Sequence, residues 1–243
     1  MRVGGFLFAA PMFGSKFVPI PIKVWFGLLL SLAIMPIVNV AQPLPALGSL
    51  ECFLLFAREI FIGIIMGLVS ILFIQAVEFG GHIIGLQMGF ASSVLFDPLS
   101  NSEISVLGRF QGSLALVFFV VLNGHHAMLA SLAGSYALVP ASLSGFGEAS
   151  LGKMIATTAG LFTLAVKVAM PALSAILMVE AALAMLAKTV PQMNVFIVGF
   201  PVKIALGLVV LVWSLPHFVD LLSRAIIGSN ADIINLLGAI GGR

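Results

Sequence analysis

Long stretches of this chain carry no Asp, Glu, Lys or Arg, and the clearest of them cover residues 24–50, 60–77 and 110–147. A helix that crosses the hydrocarbon core of a bilayer needs about 20 apolar residues, so each stretch is long enough for one. The run that starts at Ile60 is apolar on all its faces, which is typical of a helix in lipid or deep inside a protein. Since only 8% of the residues are charged, a soluble fold would expose large apolar patches and aggregate. The sequence therefore predicts an all-α, polytopic membrane-type protein.

Proline and isolated charges interrupt the apolar stretches. Pro36, Pro43 and Pro45 limit the helical part of the first long stretch to about residues 22–38, because proline removes a backbone donor and restricts the residue before it. The same reasoning predicts kinks further along the chain, at Pro171, Pro201 and Pro216. The predicted apolar segments are 3–15, 22–38, 60–77, 79–96, 106–122, 127–139, 154–187 and 195–219.

A polar tetrapeptide, Asn-Gly-His-His at residues 123–126, interrupts the longest uncharged stretch. Asn-Gly is a strong turn signal, so the tetrapeptide predicts a helical hairpin made of residues 106–122 and 127–139. No linker divides the chain, and its length suits one domain, so a single domain over residues 1–243 is expected.

Six charged side chains fall inside the apolar segments or at their edges. They are Arg58, Glu59, Glu78, Lys167, Glu180 and Lys203. A charge at the bilayer centre costs about 3 kcal/mol on insertion scales, so such residues usually pair or face a cavity. Arg58 and Glu59 are adjacent and do not face each other on a helix, so each is expected to pair with another segment or subunit. Glu180 and Lys167 suit a proton path or subunit packing, and packing is favoured because no second carboxylate lies nearby in sequence.

Glycines recur at helical spacing in the central part of the chain. Gly63 and Gly67 form one GxxxG step, and Gly81, Gly85 and Gly89 form a two-step ladder on one face. Small residues at this spacing let helix backbones approach closely in lipid. The pattern predicts tight helix packing at both places but does not identify the partner.

The sequence gives little reason to expect chemistry. It contains no nucleophile motif, P-loop or dinucleotide fingerprint. Cys52 is the only cysteine, which excludes an intrachain disulfide and a cysteine-based metal site. His125 and His126 lack further ligands nearby, so a turn or interface role is favoured over a metal site. With no Lys/Arg cluster, nucleic-acid binding is not indicated, and we expect no enzyme activity, cofactor or metal.

A serine-bearing apolar stretch follows the glycine ladder at residues 90–98. Asp97 must leave the helix, because Pro98 pushes the residue before it to extended geometry. In a channel, an apolar constriction of this kind closes the pore by excluding water. The simpler interpretation is a helix end.

Several stretches resemble one protein family when they are read together. They are Arg-Val-Gly-Gly at 2–5, Ala-Pro-Met-Phe-Gly at 10–14, Val-Pro at 18–19, Gly-Gly-His-Ile-Ile-Gly-Leu-Gln-Met-Gly-Phe at 80–90 with Asp97-Pro98 after it, Asn-Gly-His at 123–125, and Pro-Gln-Met-Asn-Val-Phe-Ile-Val-Gly-Phe-Pro-Val-Lys at 191–203. In this order they resemble the FliR family, and the likeness covers residues 2 to about 207. Each piece alone is weak, whereas the ordered set is highly specific.

The FliR resemblance implies a core subunit of the export gate of the bacterial flagellar type III secretion apparatus, which helps form the pore for unfolded flagellar subunits. It implies a hetero-oligomeric assembly with FliP, FliQ and FlhB homologues, with FlhA nearby, in the bacterial inner membrane at the flagellar basal body. It also implies a loop that plugs the resting pore. The residues that match this pore-plug loop are Ser92, Ser93, Val94, Leu95, Phe96, Asp97 and Pro98.

The chain departs from the family at its start, where relatives usually have about one more helix before the Arg-Val-Gly-Gly stretch, a length typical of a single span. Here Met1 stands directly before Arg2. Either a late start site or a shortened chain is expected, and in the second case the first helix begins abruptly.

Other functions remain open from the residues. The charges within apolar segments and the proline-broken helices also suit a small secondary transporter, and a structural membrane subunit without a pore-lining role is a third option. The virulence counterpart of the family is the injectisome T protein, and the stretch at 191–203 favours the flagellar branch. The resemblance further implies that much apolar surface packs against sister subunits, so hydropathy overstates the number of membrane crossings.

Overall fold

The computed structural model describes residues 1–14, 18–37, 48–90, 105–139, 148–192 and 194–241. Within these ranges all regular structure is helical and no strand occurs, which confirms the all-α prediction. The helices are α1 Arg2–Ala9, α2 Ile20–Ile34, α3 Ser49–Met88, α4 Val106–Val121, α5 Gly124–Leu138, α6 Glu148–Thr189, α7 Val195–Trp213 and α8 Leu215–Ile240, and a 3₁₀ turn over Met35–Ile37 follows α2.

Proline sets the end of the first helix and the start of the second. Helix α1 stops at Ala9, well before the end of the predicted segment 3–15, because Ala10 precedes Pro11 and adopts extended geometry with ψ 142°. Helix α2 begins after Pro19 with a further proline in its first turn, where a missing backbone N–H leaves no intrahelical bond unmade.

Helix α3 is one continuous helix of 40 residues, in which the predicted segment 60–77 continues past Glu78 into the predicted segment 79–96. A single glutamate does not interrupt a helix, because glutamate is a good helix former and its side chain leaves the backbone ladder intact. The helix also begins earlier than predicted, so Arg58 and Glu59 lie inside it. The helix ends at Met88, and the next residue, Gly89, adopts a left-handed φ of +88°, which favours glycine.

The predicted turn at residues 123–126 is shorter in the structure. Only Leu122 and Asn123 separate α4 from α5, and Asn123 takes a left-handed conformation with φ 57° that asparagine tolerates. The two helices meet at a bend of 68°, so they form a bent pair and do not fold back on each other as an antiparallel hairpin.

A second bend of 58° separates α7 from α8 at Ser214. Pro216 therefore lies in the first turn of α8, where proline is tolerated, while Pro171 and Pro201 lie inside α6 and α7 without ending them. Helix α8 continues to Ile240, far beyond residue 219, where the predicted segment 195–219 ends.

Two described helices are long and apolar enough to cross a membrane, Ser49–Met88 and Ser150–Thr189, and the number rises to 4 if each bent pair is one span. A helix of this length extends about 60 Å, roughly twice the thickness of a hydrocarbon core. These helices are therefore compatible with a polytopic membrane protein and continue well beyond what one crossing requires.

The chain divides into two compact units, each built from segments distant in sequence. Unit 1 comprises Met1–Ile74, Phe119–Gly160 and Ala225–Arg243, and unit 2 comprises Gln75–Phe118 and Leu161–Arg224. Within unit 1, Lys153 Nζ donates a hydrogen bond of 2.8 Å to the carbonyl oxygen of Asn235. The core of unit 2 is a cluster of buried residues, Ile84, Met88, Leu107, Ala169, Ala172 and Ile176. A single domain over residues 1–243 stays a prediction.

Candidate functional site

The most deeply buried charge in the described residues is Arg2 on helix α1. Its Nε and Nη2 donate hydrogen bonds of 2.9 and 2.8 Å to the two carboxylate oxygens of Glu59 on α3. Nη1 donates to Ser135 Oγ at 3.0 Å and Nη2 also donates to the Val139 carbonyl oxygen at 2.8 Å. The guanidinium carbon lies 4.3 Å from the ring centroid of Tyr136, within cation–π range. This network in unit 1 ties α1 to α3 and to the end of α5.

The geometry explains how two charges persist in an apolar interior. Arg2 is 1% exposed and Glu59 is 8% exposed, and a forked, two-point contact with neutral acceptors on the remaining N–H groups offsets the cost of removing both ions from water. Glu59 therefore pairs with a residue of another helix, as expected for a charge inside an apolar segment. Sequence reasoning did not select Arg2, although a cation in front of an apolar helix signals that a partner is needed.

Gly63 and Gly67 allow the backbone of α1 to lie directly on α3. A Cβ atom at Gly63 would lie 2.7 Å from the backbone nitrogen of Phe6, and one at Gly67 would lie 2.8 Å from the carbonyl oxygen of the same residue. Gly5 repeats the arrangement from α1, since its Cβ would meet the backbone carbonyl of Ile60. Backbone touches backbone here, so any side chain at these positions forces the helices apart.

The glycine ladder further along α3 lies in unit 2 and faces different partners. A Cβ atom at Gly81 would lie 2.8 Å from the Cα of Gly108, and one at Gly85 would lie 2.9 Å from Ser105 Oγ, so both face the start of α4. A Cβ atom at Gly89 would meet the ring of Phe200 on α7. The first two glycines thus let two helices pack closely, and the third leaves room for an aromatic ring at a helix end.

Glu78 is half-buried in unit 2 and borders a polar cleft of about 430 Å³. Its Oε2 atom lies 3.3 Å from where a Cβ at Gly112 would be, so the missing side chain on α4 gives the carboxylate its space. His82 on α3 and Arg109 on α4 line the same cleft. The three side chains place a carboxylate, an imidazole and a guanidinium around one opening.

Glu180 and Lys203 form an ion pair between α6 and α7. Lys203 Nζ donates a hydrogen bond to Glu180 Oε1 at 2.5 Å, and the two side chains are 18% and 35% exposed respectively. Both charges fall inside apolar stretches, and each neutralises the other. Lys167 lies elsewhere on α6 with an exposed side chain, so the structure does not bring it together with Glu180.

Unit 2 also contains an apolar cavity of about 580 Å³. Its lining includes Phe90, Phe110, Leu211 and Phe218, and the one amide side chain on it belongs to Gln111. Gln111 is 5% exposed, and its Oε1 atom accepts no hydrogen bond from the described residues. The predicted pore-plug loop, residues 92–98, lies outside the described residues.

No group of three or more metal-ligating side chains occurs within the described ranges. His125 and His126 have ring centroids 4.2 Å apart at the start of α5. Two imidazoles without a third ligand do not form the donor set of a structural or catalytic metal site.

Long apolar helices, glycine-mediated helix contacts and a buried ion pair are together compatible with a helical membrane protein. Among such proteins, this chain belongs to the family described as bacterial export proteins, family 1, whose model matches residues 1–228. It is 32% identical over 216 residues to the flagellar biosynthetic protein FliR of Bacillus subtilis (strain 168), which covers 87% of this chain and 82% of the relative. The FliR of Escherichia coli (strain K12) is 30% identical over 245 residues, covering 99% of this chain and 92% of the relative. The FliR of Aquifex aeolicus (strain VF5) is 28% identical over 215 residues, covering 88% and 83%.

Proposed function

We propose that this protein is a core subunit of the flagellar type III export gate and forms part of the pore through which unfolded flagellar subunits leave the cytoplasm. The observation that carries the proposal is membership of the bacterial export protein family over residues 1–228, with relatives named flagellar biosynthetic protein FliR that match nearly the full chain. The protein acts by shaping a passage and carries out no chemistry itself.

The proposed location is the bacterial inner membrane at the flagellar basal body, in an assembly with FliP, FliQ and FlhB homologues and with FlhA nearby. Apolar helices that are long enough to cross a bilayer support the membrane location. The exposed apolar side chains of α6, which include Ile155, Phe162 and Met178 at 70%, 61% and 73% exposure, support burial against lipid or sister subunits.

The export role is tested by deleting the coding sequence and restoring it. Cells that lack this protein are expected to assemble no flagellar filaments and to secrete no filament subunits, and the intact chain is expected to restore both. Filaments on the deletion strain, scored by electron microscopy and by immunoblots of the culture medium, would rule out an essential role in export.

Residues 92–98 are proposed to plug the resting pore. The resemblance supports this role, as does the end of α3 at Met88, after which Gly89 adopts a left-handed φ. Deleting residues 92–98 is expected to let ions leak across the membrane while export is partly kept. Membrane potential and growth are the measurements, and wild-type permeability in the deletion strain means that this segment is not the plug.

The pairing of Glu180 with Lys203 favours an export-gate subunit over a secondary transporter, because both charges satisfy each other and support a packing role. The decisive comparison uses purified protein in liposomes. An export-gate subunit alone is expected to drive no solute uptake under an imposed proton gradient, whereas coupled uptake would establish a transporter.

A further inference from the structure

The polar cleft of about 430 Å³ in unit 2 lies between α3 and the start of α4. Its lining includes Glu78, Phe79 and His82 from α3, and Ser105 and Arg109 from the beginning of α4. We call it the Glu78 cleft. It combines one carboxylate with two basic groups, an imidazole and a guanidinium.

The ionisable side chains of the Glu78 cleft do not neutralise one another. Among the residues that the structure describes, no salt bridge involves Glu78, His82 or Arg109. The carboxylate lies beside Gly112, because Glu78 Oε2 is 3.3 Å from where a Cβ of this glycine would be. His82 is one turn away, with its backbone nitrogen 3.2 Å from where a Cβ of Gly108 would be. Unpaired charges of both signs around one opening are complementary to a ligand that itself carries both signs.

The Glu78 cleft also lies at the end of an apolar run that is long enough to cross a bilayer. Residues 60–77 of α3 carry no charge and extend about 27 Å as a helix, close to the hydrocarbon thickness of about 30 Å. Glu78 is the next residue, so the cleft reaches the level of the lipid headgroups when this run spans the core. Phe79, which is 45% exposed, gives the cleft an apolar edge for an acyl chain.

We propose that the Glu78 cleft binds the headgroup of phosphatidylethanolamine, with the ammonium group on Glu78 and the phosphate on Arg109 and His82. An ammonium group donates hydrogen bonds to a carboxylate, and a guanidinium donates two parallel ones to a phosphate. Phosphatidylglycerol has the phosphate but no cation for Glu78, and the quaternary ammonium of phosphatidylcholine has no N–H to donate. The inference rests on the membrane location of the chain and not on its role in export.

The lipid selectivity of the purified full-length chain is the first test. Phosphatidylethanolamine, phosphatidylglycerol or phosphatidylcholine with identical acyl chains is added to the chain in detergent, and native mass spectrometry measures binding. One molecule of phosphatidylethanolamine is expected to bind saturably, about tenfold more tightly than either other lipid, because each of those lacks the charge-assisted hydrogen bond to Glu78. Equal affinities for the three lipids overturn the proposal.

Substitutions assign the selectivity to the cleft. Glu78→Gln keeps the size of the side chain and is expected to abolish the preference for phosphatidylethanolamine over phosphatidylglycerol, because the ammonium group loses its anion. Arg109→Gln is expected to weaken the binding of both lipids, since both carry the phosphate. Glu51→Gln on α3 and Arg224→Gln on α8 change exposed charges outside the cleft and are expected to leave the preference unchanged.

A preference that survives Glu78→Gln, or that the two control variants also lose, contradicts the assignment to this cleft. Circular dichroism and the Tm of each variant show whether a loss of lipid binding comes from a loss of the fold. The preference of the wild-type chain among the three lipids does not depend on any variant.

The occupant of the cleft in the assembled apparatus is tested by photocrosslinking in cells. The photoreactive residue p-benzoylphenylalanine replaces either Phe79 or Leu86, which is 49% exposed and lies about two turns further along the same face of α3. Lipid adducts from Phe79 are expected to be enriched in phosphatidylethanolamine relative to the membrane, and those from Leu86 are expected to match the membrane. A protein adduct at Phe79 means that a partner chain fills the cleft, and lipid adducts of equal composition at both positions mean that it has no selectivity. Either result overturns the proposal.

Filament assembly by the wild-type chain is scored separately from lipid binding. Failure of the filament assay removes the proposed function, while the lipid selectivity of the purified chain still decides the role of the Glu78 cleft. A chain that supports filament assembly but binds the three lipids equally keeps the proposed function and removes the lipid site.

Discussion

At the scale of single residues, Arg2 makes four hydrogen bonds from a position that is 1% exposed. Its main partner, Glu59, is 57 positions away in the chain. Local periodicity and spacing carry no information about such a distant contact, which is why the sequence points to Glu59 as a charge in need of a partner but not to Arg2 as that partner. The Glu180–Lys203 pair escaped prediction for the same reason.

Removing one member of the Arg2–Glu59 pair leaves the other charge buried and unpaired. Arg2→Met is therefore expected to destabilise the protein by about 3–5 kcal/mol, seen as a large drop in the Tm of the purified protein in detergent. The double variant Arg2→Met/Glu59→Met is expected to recover most of the loss, because no charge then remains buried.

The exposed pair Arg224–Asp220 on α8 provides the matched control, because its side chains are 76% and 50% exposed. Arg224→Met is expected to leave the Tm nearly unchanged, since exposed ion pairs contribute little. A comparable drop in Tm for Arg2→Met and Arg224→Met contradicts the assignment of a structural role to the buried pair.

Charge-reversal variants of the Glu180–Lys203 pair distinguish a helix-packing role from a role in proton transfer. If the pair packs α6 on α7, Glu180→Lys is expected to abolish export through like-charge repulsion, and the swapped chain Glu180→Lys/Lys203→Glu is expected to restore it. If export instead needs a carboxylate at position 180 for proton transfer, the swapped chain stays inactive, because it has a lysine there. The measurement is secretion of filament subunits into the medium, and a swapped chain that does not secrete them supports the proton-transfer role.

At the scale of elements, the sequence predicted helix type well and helix ends poorly. The turn at Asn123 was predicted because Asn-Gly is a local turn signal. The end of α1 at Ala9 was not predicted, although the rule that makes Asp97 leave its helix also applies to Ala10 before Pro11. The far half of α8 was missed because Asp220, Arg224 and Asp232 lower its average apolarity, although its apolar residues still recur at helical spacing. The sequence predicted close packing at Gly63 and Gly67 but not that α1 is the packing partner, because α1 is distant from these glycines along the chain.

Two glycines close to the α1–α3 contact are expected to respond in opposite directions to the same substitution. Gly63→Ala inserts a methyl group against the backbone of α1 and is expected to lower stability by about 1–3 kcal/mol. Gly4→Ala adds a methyl group on an exposed helical position with no atom within 4 Å, and is expected to raise stability by about 0.5–1 kcal/mol. Thermal unfolding of both variants decides, and a stable Gly63→Ala protein speaks against the tight contact.

At the scale of the whole molecule, the two long apolar helices differ in how much the chain itself covers them. In the most apolar part of α3 61% is buried by the rest of the chain, whereas in that of α6 only 28% is. Hydropathy ranks both as spans because it averages side chains without regard to what they touch. The sequence could not distinguish an internal helix from one left for lipid or partners.

Assembly is therefore expected to remove apolar surface from detergent. The purified chain alone should carry more bound detergent per polypeptide than the same chain in complex with its partner subunits, because the exposed side of α6 is then covered by protein. Light scattering with refractive-index and absorbance detection measures the bound detergent. Equal detergent per polypeptide in both states means that this surface faces lipid in the assembly as well.

The contacts of Arg2 also impose an order on biogenesis. A ribosome delivers Arg2 long before Glu59, and Ser135 and the carbonyl of Val139 later still. During synthesis the guanidinium has none of its final acceptors, and it must wait at a hydrated or lipid-headgroup surface while the rest of unit 1 is made. Docking of α1 then completes unit 1 only after α5 has formed, so a helix that is made before α3 and α5 reaches its final place after them.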